Sequence, residues 1–153
     1  MKILLAVDGS PCSDAAVEEI CRRSWPAGSE VMVLHVLHAS IPLVPDPFLL
    51  TVAAHMTQLN ELRERAPRLV EPDADVIRRA DAAGGLAVTT RVVEGSPKQV
   101  IVDEAASFGA DLIVLGCHGY GPVKRFVLGS VSHAVVLHAG CSVEVVRCAH
   151  AAA

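Results

Sequence analysis

The residues with the clearest chemistry lie in one glycine-rich stretch. It reads Gly116-Cys117-His118-Gly119-Tyr120-Gly121-Pro122-Val123-Lys124-Arg125-Phe126-Val127-Leu128-Gly129-Ser130-Val131-Ser132. Glycine has no Cβ to hold a ligand away from the backbone. The first N–H groups of a helix lack intrahelical partners and carry partial positive charge, so they hold anions. Ser130 and Ser132 add hydroxyl donors, and Lys124 and Arg125 add mobile positive charge. The stretch contains neither G-x-x-x-x-G-K-[ST] nor G-x-G-x-x-G, which excludes a Walker-type phosphate loop and the dinucleotide fingerprint. What remains is Gly-x-x-Gly, nine residues, then Gly-Ser at a helix start. Alone, Gly116 ends a strand and Ser130 caps a helix. Together they form a phosphate cradle, provided the fold brings them to one crevice.

The elements that must do so can be read in order. Ile3 to Val7 is a short apolar run closed by Asp8-Gly9-Ser10-Pro11, the pattern of a strand buried on both faces. Ser10-Pro11 is an N-cap followed by proline at the first helical position. Val17, Ile20, Cys21 and Ser24 continue at helical spacing until Pro26 and Gly28. Val31 to Val36 is a second buried strand, and Ile41 to Pro47 a proline-broken apolar loop. A helical stretch from about Thr51 to Ala66 is expected to be interrupted at Pro67 and Pro72, as a kink or as two short helices, and to resume from about Asp73 to Ala83. Leu86 to Val93 is the third strand. Ser96-Pro97 repeats the cap signal before the stripe Val100, Ile101, Ala105, Phe108. Asp111 to Leu115 is the fourth strand, Ser130 opens a helix carrying Val131, Ala134, Val135 and His138, and Val143 to Val146 is the fifth strand.

Alternation of strand and helix predicts an α/β fold, a five-stranded parallel sheet with helices on both faces. Right-handed crossovers favour the strand order 3-2-1-4-5 of a half-Rossmann unit. A crevice then opens where the first and fourth strands end, at Asp8 and Gly116. One domain over residues 1–150 accounts for the length, followed by a short tail at 151–153.

With 13 Lys and Arg against 17 Asp and Glu, the formal charge is −4, which opposes a nucleic-acid partner. Hydrophobic residues make up 52% of the chain, which excludes intrinsic disorder. No run reaches the roughly 18 apolar residues of a membrane span, and no export signal is evident. A cytoplasmic protein is expected. Cys12, Cys21, Cys117, Cys141 and Cys148 are an odd count without a Cys-x-x-Cys pair, a pattern that fits reduced thiols.

Gly116-x-x-Gly119 with Gly129-Ser130, Asp8-Gly9-Ser10, Leu34-His35-Val36, Glu94-Gly95 and Gly109 to Leu115 resembles the universal stress protein family over nearly the whole chain. That resemblance implies an adenine-nucleotide alpha-hydrolase-like fold and an ATP site. Asp8 would accept from ribose hydroxyls. Val36 would offer its backbone to the adenine edge, and Ala6 and Val7 would line ribose and base. Gly116, Gly119, Gly129, Ser130, Val131 and Ser132 would cradle the phosphates, with His118 at ribose or phosphate. Mg2+ would be held through the phosphates. It also implies a homodimer through the last strand. The edge strand's own residues suggest that Val143, Val145 and Val146 would dominate such a seam, and that Glu144 and Arg147 could meet across the axis. Cys117 stands where the family often has serine, Ser142 where proline is common, and Glu144 interrupts an apolar strand.

His133 and His138, five apart, and Cys141, Cys148 and His150 lack the short paired spacings of zinc sites, so no metal site is assigned. Cys117 is a candidate redox thiol, though a small buried residue explains it as well. There is no G-x-S-x-G elbow. His35 reads as a hydrogen-bonded core residue. No catalytic residue is assigned. The expected function is an ATP-binding stress-response module or switch. A nucleotide-free dimeric interaction protein and a slow ATPase are the alternatives.

Overall fold

The apolar runs become five parallel strands. In the computed structural model, which describes residues 1–38, 67–81, 84–118 and 128–148, these are β1 (Lys2–Val7), β2 (Glu30–Leu37), β3 (Ala87–Glu94), β4 (Leu112–Gly116) and β5 (Ser142–Val146). Their order is β3-β2-β1-β4-β5, as the alternation predicts. Four helices among the described residues cover the sheet: α1 (Pro11–Arg22), α2 (Pro67–Ala80), α3 (Pro97–Phe108) and α4 (Ser130–His138).

Strand side chains alternate between two cores. Ile3, Leu5 and Val7 of β1 join Leu112 and Val114 of β4 under α1 and α2, against Ala16, Val17, Ile20, Val70, Ala74 and Ile77. Leu4, Ile113 and Leu115 point the other way, under Ile101, Ala105 and Val135 of α3 and α4. Helices therefore leave β1 and β4 toward opposite faces. Ala6 pairs with Leu34 on one side and Leu115 on the other, so the strand ends carrying Asp8 and Gly116 lie side by side.

Several boundaries differ from the sequence reading. Helix α1 ends at Arg22, ahead of Ser24, Pro26 and Gly28, with Arg23 already extended. Trp25 Nε1 donates to the Ile20 carbonyl at 2.9 Å, satisfying one helix-end acceptor. Helix α2 runs unbroken to Ala80, with Pro72 inside it. An interior proline costs about 3 kcal/mol. Burial of Val70 and Ile77, each 1% exposed, contributes about 1.5–3 kcal/mol apiece and outweighs it. Strands β3 and β4 each begin one residue later than expected, and β5 one earlier. Ser96 sits at the N-cap of α3 without a side-chain cap bond. The loop expected at 41–47, the helix at 51–66 and the tail at 151–153 lie outside the described residues.

Two further expectations are corrected. Glu144 is not free to meet Arg147 of a second copy. Arg23 of the same chain holds its carboxylate from two nitrogens, at 2.7 and 2.6 Å. And the cysteines are not all reduced: Cys12 and Cys148, 136 residues apart, form a disulfide with a Cα–Cα distance of 4.6 Å. The strand order is the reason, because it sets the start of α1 beside the exits of β4 and β5.

Candidate functional site

At the carboxyl ends of β1 and β4 lies a cleft of about 270 Å³. Ala6, Val7 and Asp8 line it from β1, Leu34 and Val36 from β2, Leu115, Gly116 and His118 from β4 and its exit, and Gly129, Ser130, Val131 and Ser132 from the start of α4. All the expected site residues that are described meet there. Gly119, Lys124 and Arg125 lie outside the described residues.

Gly116 is required by close packing. A Cβ at this position would stand 2.7 Å from the backbone carbon of Cys12 and 2.8 Å from its oxygen. Only a residue without a side chain lets α1 start flush against the end of β4. Gly129 is confined in a similar way, with 2.9 Å between its would-be Cβ and the Cys117 carbonyl oxygen. Its own N–H donates to that oxygen at 2.8 Å. Gly129 is thus joined to the exit of β4 just before α4 begins.

The two helices opening at the cleft are finished differently. Ser10 Oγ accepts from Ser13 N–H at 3.3 Å, and Asp8 Oδ1 accepts from Ser10 N–H at 3.0 Å. Asp8 N–H in turn donates to Ser13 Oγ at 3.2 Å. Helix α4 has Gly129 at its N-cap and no side-chain cap bond. The amides of Ser130, Val131 and Ser132 are its first N–H groups, which a helix cannot satisfy internally. All three residues line the cleft, and their amides have no acceptor among the described residues.

The serines of α4 do unequal work. Ser130 is exposed at the cleft wall. Ser132 is 3% exposed, and its hydroxyl donates toward the Cys117 and Gly129 carbonyls, each at 3.0 Å. The Ser132 hydroxyl therefore ties the first turn of α4 to the exit of β4. His118 Nδ1 lies 3.0 Å from Cys117 Sγ, while its buried Nε2 has no partner among the described residues. His35 Nδ1 contacts the Val7 carbonyl at 2.9 Å, the hydrogen-bonded core histidine expected from the sequence.

Sequence reasoning missed Leu34, Pro97, Ile101 and Leu115, which supply much of the apolar wall. Pro97 and Ile101 read as the core stripe of α3. Position was the available signal: the first turn of a helix after a parallel strand sits on the carboxyl edge, where ligands bind.

Residues 1–147 match the universal stress protein family. The chain belongs to that family. A putative universal stress protein of Staphylococcus epidermidis is 51% identical over 147 residues, which is 95% of this chain and 82% of that one. Another, from Staphylococcus haemolyticus, matches over 69 residues, 42% of its length. Among solved structures, the universal stress protein UspA from Lactobacillus plantarum superposes with a TM-score of 0.76 at 26% identity, covering 96% of this chain and 97% of that one. An Arabidopsis thaliana member of the family, solved with AMP bound, superposes at 0.67 with 19% identity over 96% of this chain and 91% of that one, a likeness of fold. No helix among the described residues is long and apolar enough to cross a membrane.

Proposed function

We propose that this universal stress protein binds ATP in the cleft and acts as a nucleotide-dependent binding module in the cytoplasm. The observation that carries this reading is the start of α4, which has no side-chain cap bond and whose first three residues line the cleft together with Gly116. Such an end attracts a phosphate chain through aligned N–H groups and the helix dipole. Asp8 lies across the cleft and, as a carboxylate, can only accept, which suits ribose hydroxyls. His118 fits the same ligand: with Nδ1 donating to Cys117, its buried Nε2 is an acceptor for a sugar hydroxyl. The wall of Val36, Pro97 and Ile101 suits the adenine face, with the Val36 backbone at its edge. Asp8 is the one carboxylate among the described lining residues, so Mg2+ enters on the phosphates.

The Arabidopsis protein holds AMP. The start of α4 supports the reading that further phosphates are held as well. Mass spectrometry of the ligand released from freshly purified protein tests this, with ATP as the expected species. Recovery of no adenine nucleotide, together with no heat on titrating ATP, would support the nucleotide-free interaction protein instead.

Assembly is the second part of the proposal. Strand β5 is a sheet edge, and antiparallel pairing with its copy would cover it and give a closed dimer. Val143 and Val145 pack into the core under α3 and α4, so the seam rests on backbone hydrogen bonds. Sedimentation velocity at micromolar concentration is expected to show a dimer. A monomer would overturn this seam.

A further inference from the structure

Behind the cleft wall, three cysteines converge from three parts of the chain. Cys12 opens α1, Cys117 follows β4, and Cys148 follows β5. Their sulfur atoms all lie within 4.8 Å of one another. Cys12 and Cys117 are buried, Cys148 partly so, and the Cys12 and Cys117 sulfurs are 3.5 Å apart. None of the three is among the residues lining the cleft, but Cys117 stands between two that are, Gly116 and His118.

Two chemistries compete for such a group. In thiol–disulfide exchange, Cys117 would attack the Cys12–Cys148 disulfide, with the attacking sulfur in line with the S–S bond. An ordinary S–S length of about 2.05 Å added to the approach distance would then put the outer sulfurs about 5.5 Å apart. The sulfurs are closer than that, because they form a triangle. A triangle suits a metal. Around a tetrahedral zinc ion with Zn–S of about 2.3 Å, neighbouring thiolates stand about 3.8 Å apart. The Cys12 and Cys117 sulfurs, 3.5 Å apart, stand close to that spacing, all three lie within 4.8 Å of one another, and reduction of the Cys12–Cys148 bond frees its two sulfurs to reach it.

We propose that Cys12, Cys117 and Cys148, once reduced, form a three-thiolate site for a thiophilic d10 cation, with Zn2+ as its occupant. A dithiol reductant transfers two electrons and two protons to the Cys12–Cys148 disulfide and leaves as its own cyclic disulfide. Zn2+ then displaces three thiol protons, which pass to solvent, and three Zn–S bonds form. The His118 Nδ1 proton donates to the Cys117 thiolate, fixing the tautomer of a residue that also lines the cleft. A fourth position stays open to water or a small ligand. Cys21 and Cys141 stand outside the group, and burial pushes both thiols up from their ordinary values. The site does not depend on the nucleotide reading, because none of its ligands is needed for an adenine nucleotide to bind.

The test uses the full chain, reduced and kept free of oxygen, titrated with Co2+ and then with Zn2+. Expected are one equivalent of Co2+, the near-ultraviolet sulfur-to-cobalt bands and visible bands of a tetrahedral thiolate site, and their loss on adding Zn2+. Cys148→Ser, at the partly exposed position, is expected to weaken binding by more than the roughly 10–100-fold that loss of an outer partner costs. Cys141→Ser should bind like wild type. Far-ultraviolet circular dichroism checks that each variant is folded. Absence of the charge-transfer bands would overturn the site, as would bands that survive in Cys148→Ser. So would peptide mapping that finds Cys12 joined to Cys117, since that is exchange rather than metal binding.

Discussion

Helices α1 and α4 open onto the same crevice from opposite faces of the sheet, yet only one of them is available to a ligand. At α1 the start is tied by a ring of hydrogen bonds: Ser10 Oγ accepts from Ser13 N–H, Asp8 Oδ1 accepts from Ser10 N–H, and Ser13 Oγ accepts from Asp8 N–H, which leaves the second Asp8 oxygen to the cleft. The end of β4 packs directly on its first turn, with no room for a Cβ at Gly116. At α4 the cap position is a glycine and offers no acceptor. A helix start with a side-chain cap spends its amides on its own stability. One capped by glycine forgoes only about a few tenths of a kcal/mol of capping and leaves its amides to an anion. On the proposed reading, binding at this crevice is directed by what each helix lacks as much as by what it has.

The strongest way to break that contrast is to give α4 the cap that α1 possesses. Gly129→Asp, once the Cys117 carbonyl 2.9 Å from the new Cβ has given way, brings a carboxylate that can accept from the amides of the first turn and repel phosphate. Loss of two charge-assisted hydrogen bonds, at about 1.5–3 kcal/mol each, is expected to weaken ATP at least about a hundredfold. Titration calorimetry measures it, and unchanged affinity in a folded variant would move the anion site away from α4. Asp8→Asn is the next largest. The amide oxygen can still accept from Ser10 N–H, so the turn should persist while the charge is lost. ATP, ADP and AMP should all weaken by about 1.5–3 kcal/mol, because they share the ribose. If ATP alone weakened, Asp8 would be acting through a cation at the terminal phosphate. Gly116→Ala attacks the packing on the α1 side. A methyl group 2.7–2.9 Å from Cys12 atoms should cost about 1–3 kcal/mol in denaturant unfolding. An unchanged midpoint would show that α1 can slide away from β4.

The same contrast explains how much the sequence discloses. Sheet order, both cores and the described cleft residues Asp8, Gly116 and Gly129 to Ser132 are legible because each depends on a local signal at the end of a buried run. Helix α2 was misjudged because proline is a local signal too, and the burial of Val70 and Ile77 that overrides it is not. The Arg23–Glu144 pair and the sulfur triangle left no trace in residue spacing. Both depend on residues more than a hundred positions apart that become neighbours only once β5 lies beside β4. Short-spacing rules for metal sites cannot detect ligands at 12, 117 and 148.

The smallest effect is expected from opening α1. Ser10 is 1% exposed; besides capping Ser13, its hydroxyl donates to the His118 carbonyl at 3.2 Å. Ser10→Ala removes both bonds and should cost about 0.5–2 kcal/mol of stability, the ordinary range for a lost cap. Ser10→Thr, which keeps the hydroxyl, should recover part of it. The uncapped amides of α1 should nevertheless gain no ligand, because the end of β4 still packs on its first turn. Calorimetry on Ser10→Ala should therefore still give one nucleotide per chain, with affinity lowered at most a few-fold through the loosened His118. A second bound equivalent would show that the cap alone had kept α1 closed, and that packing at Gly116 had no part in it.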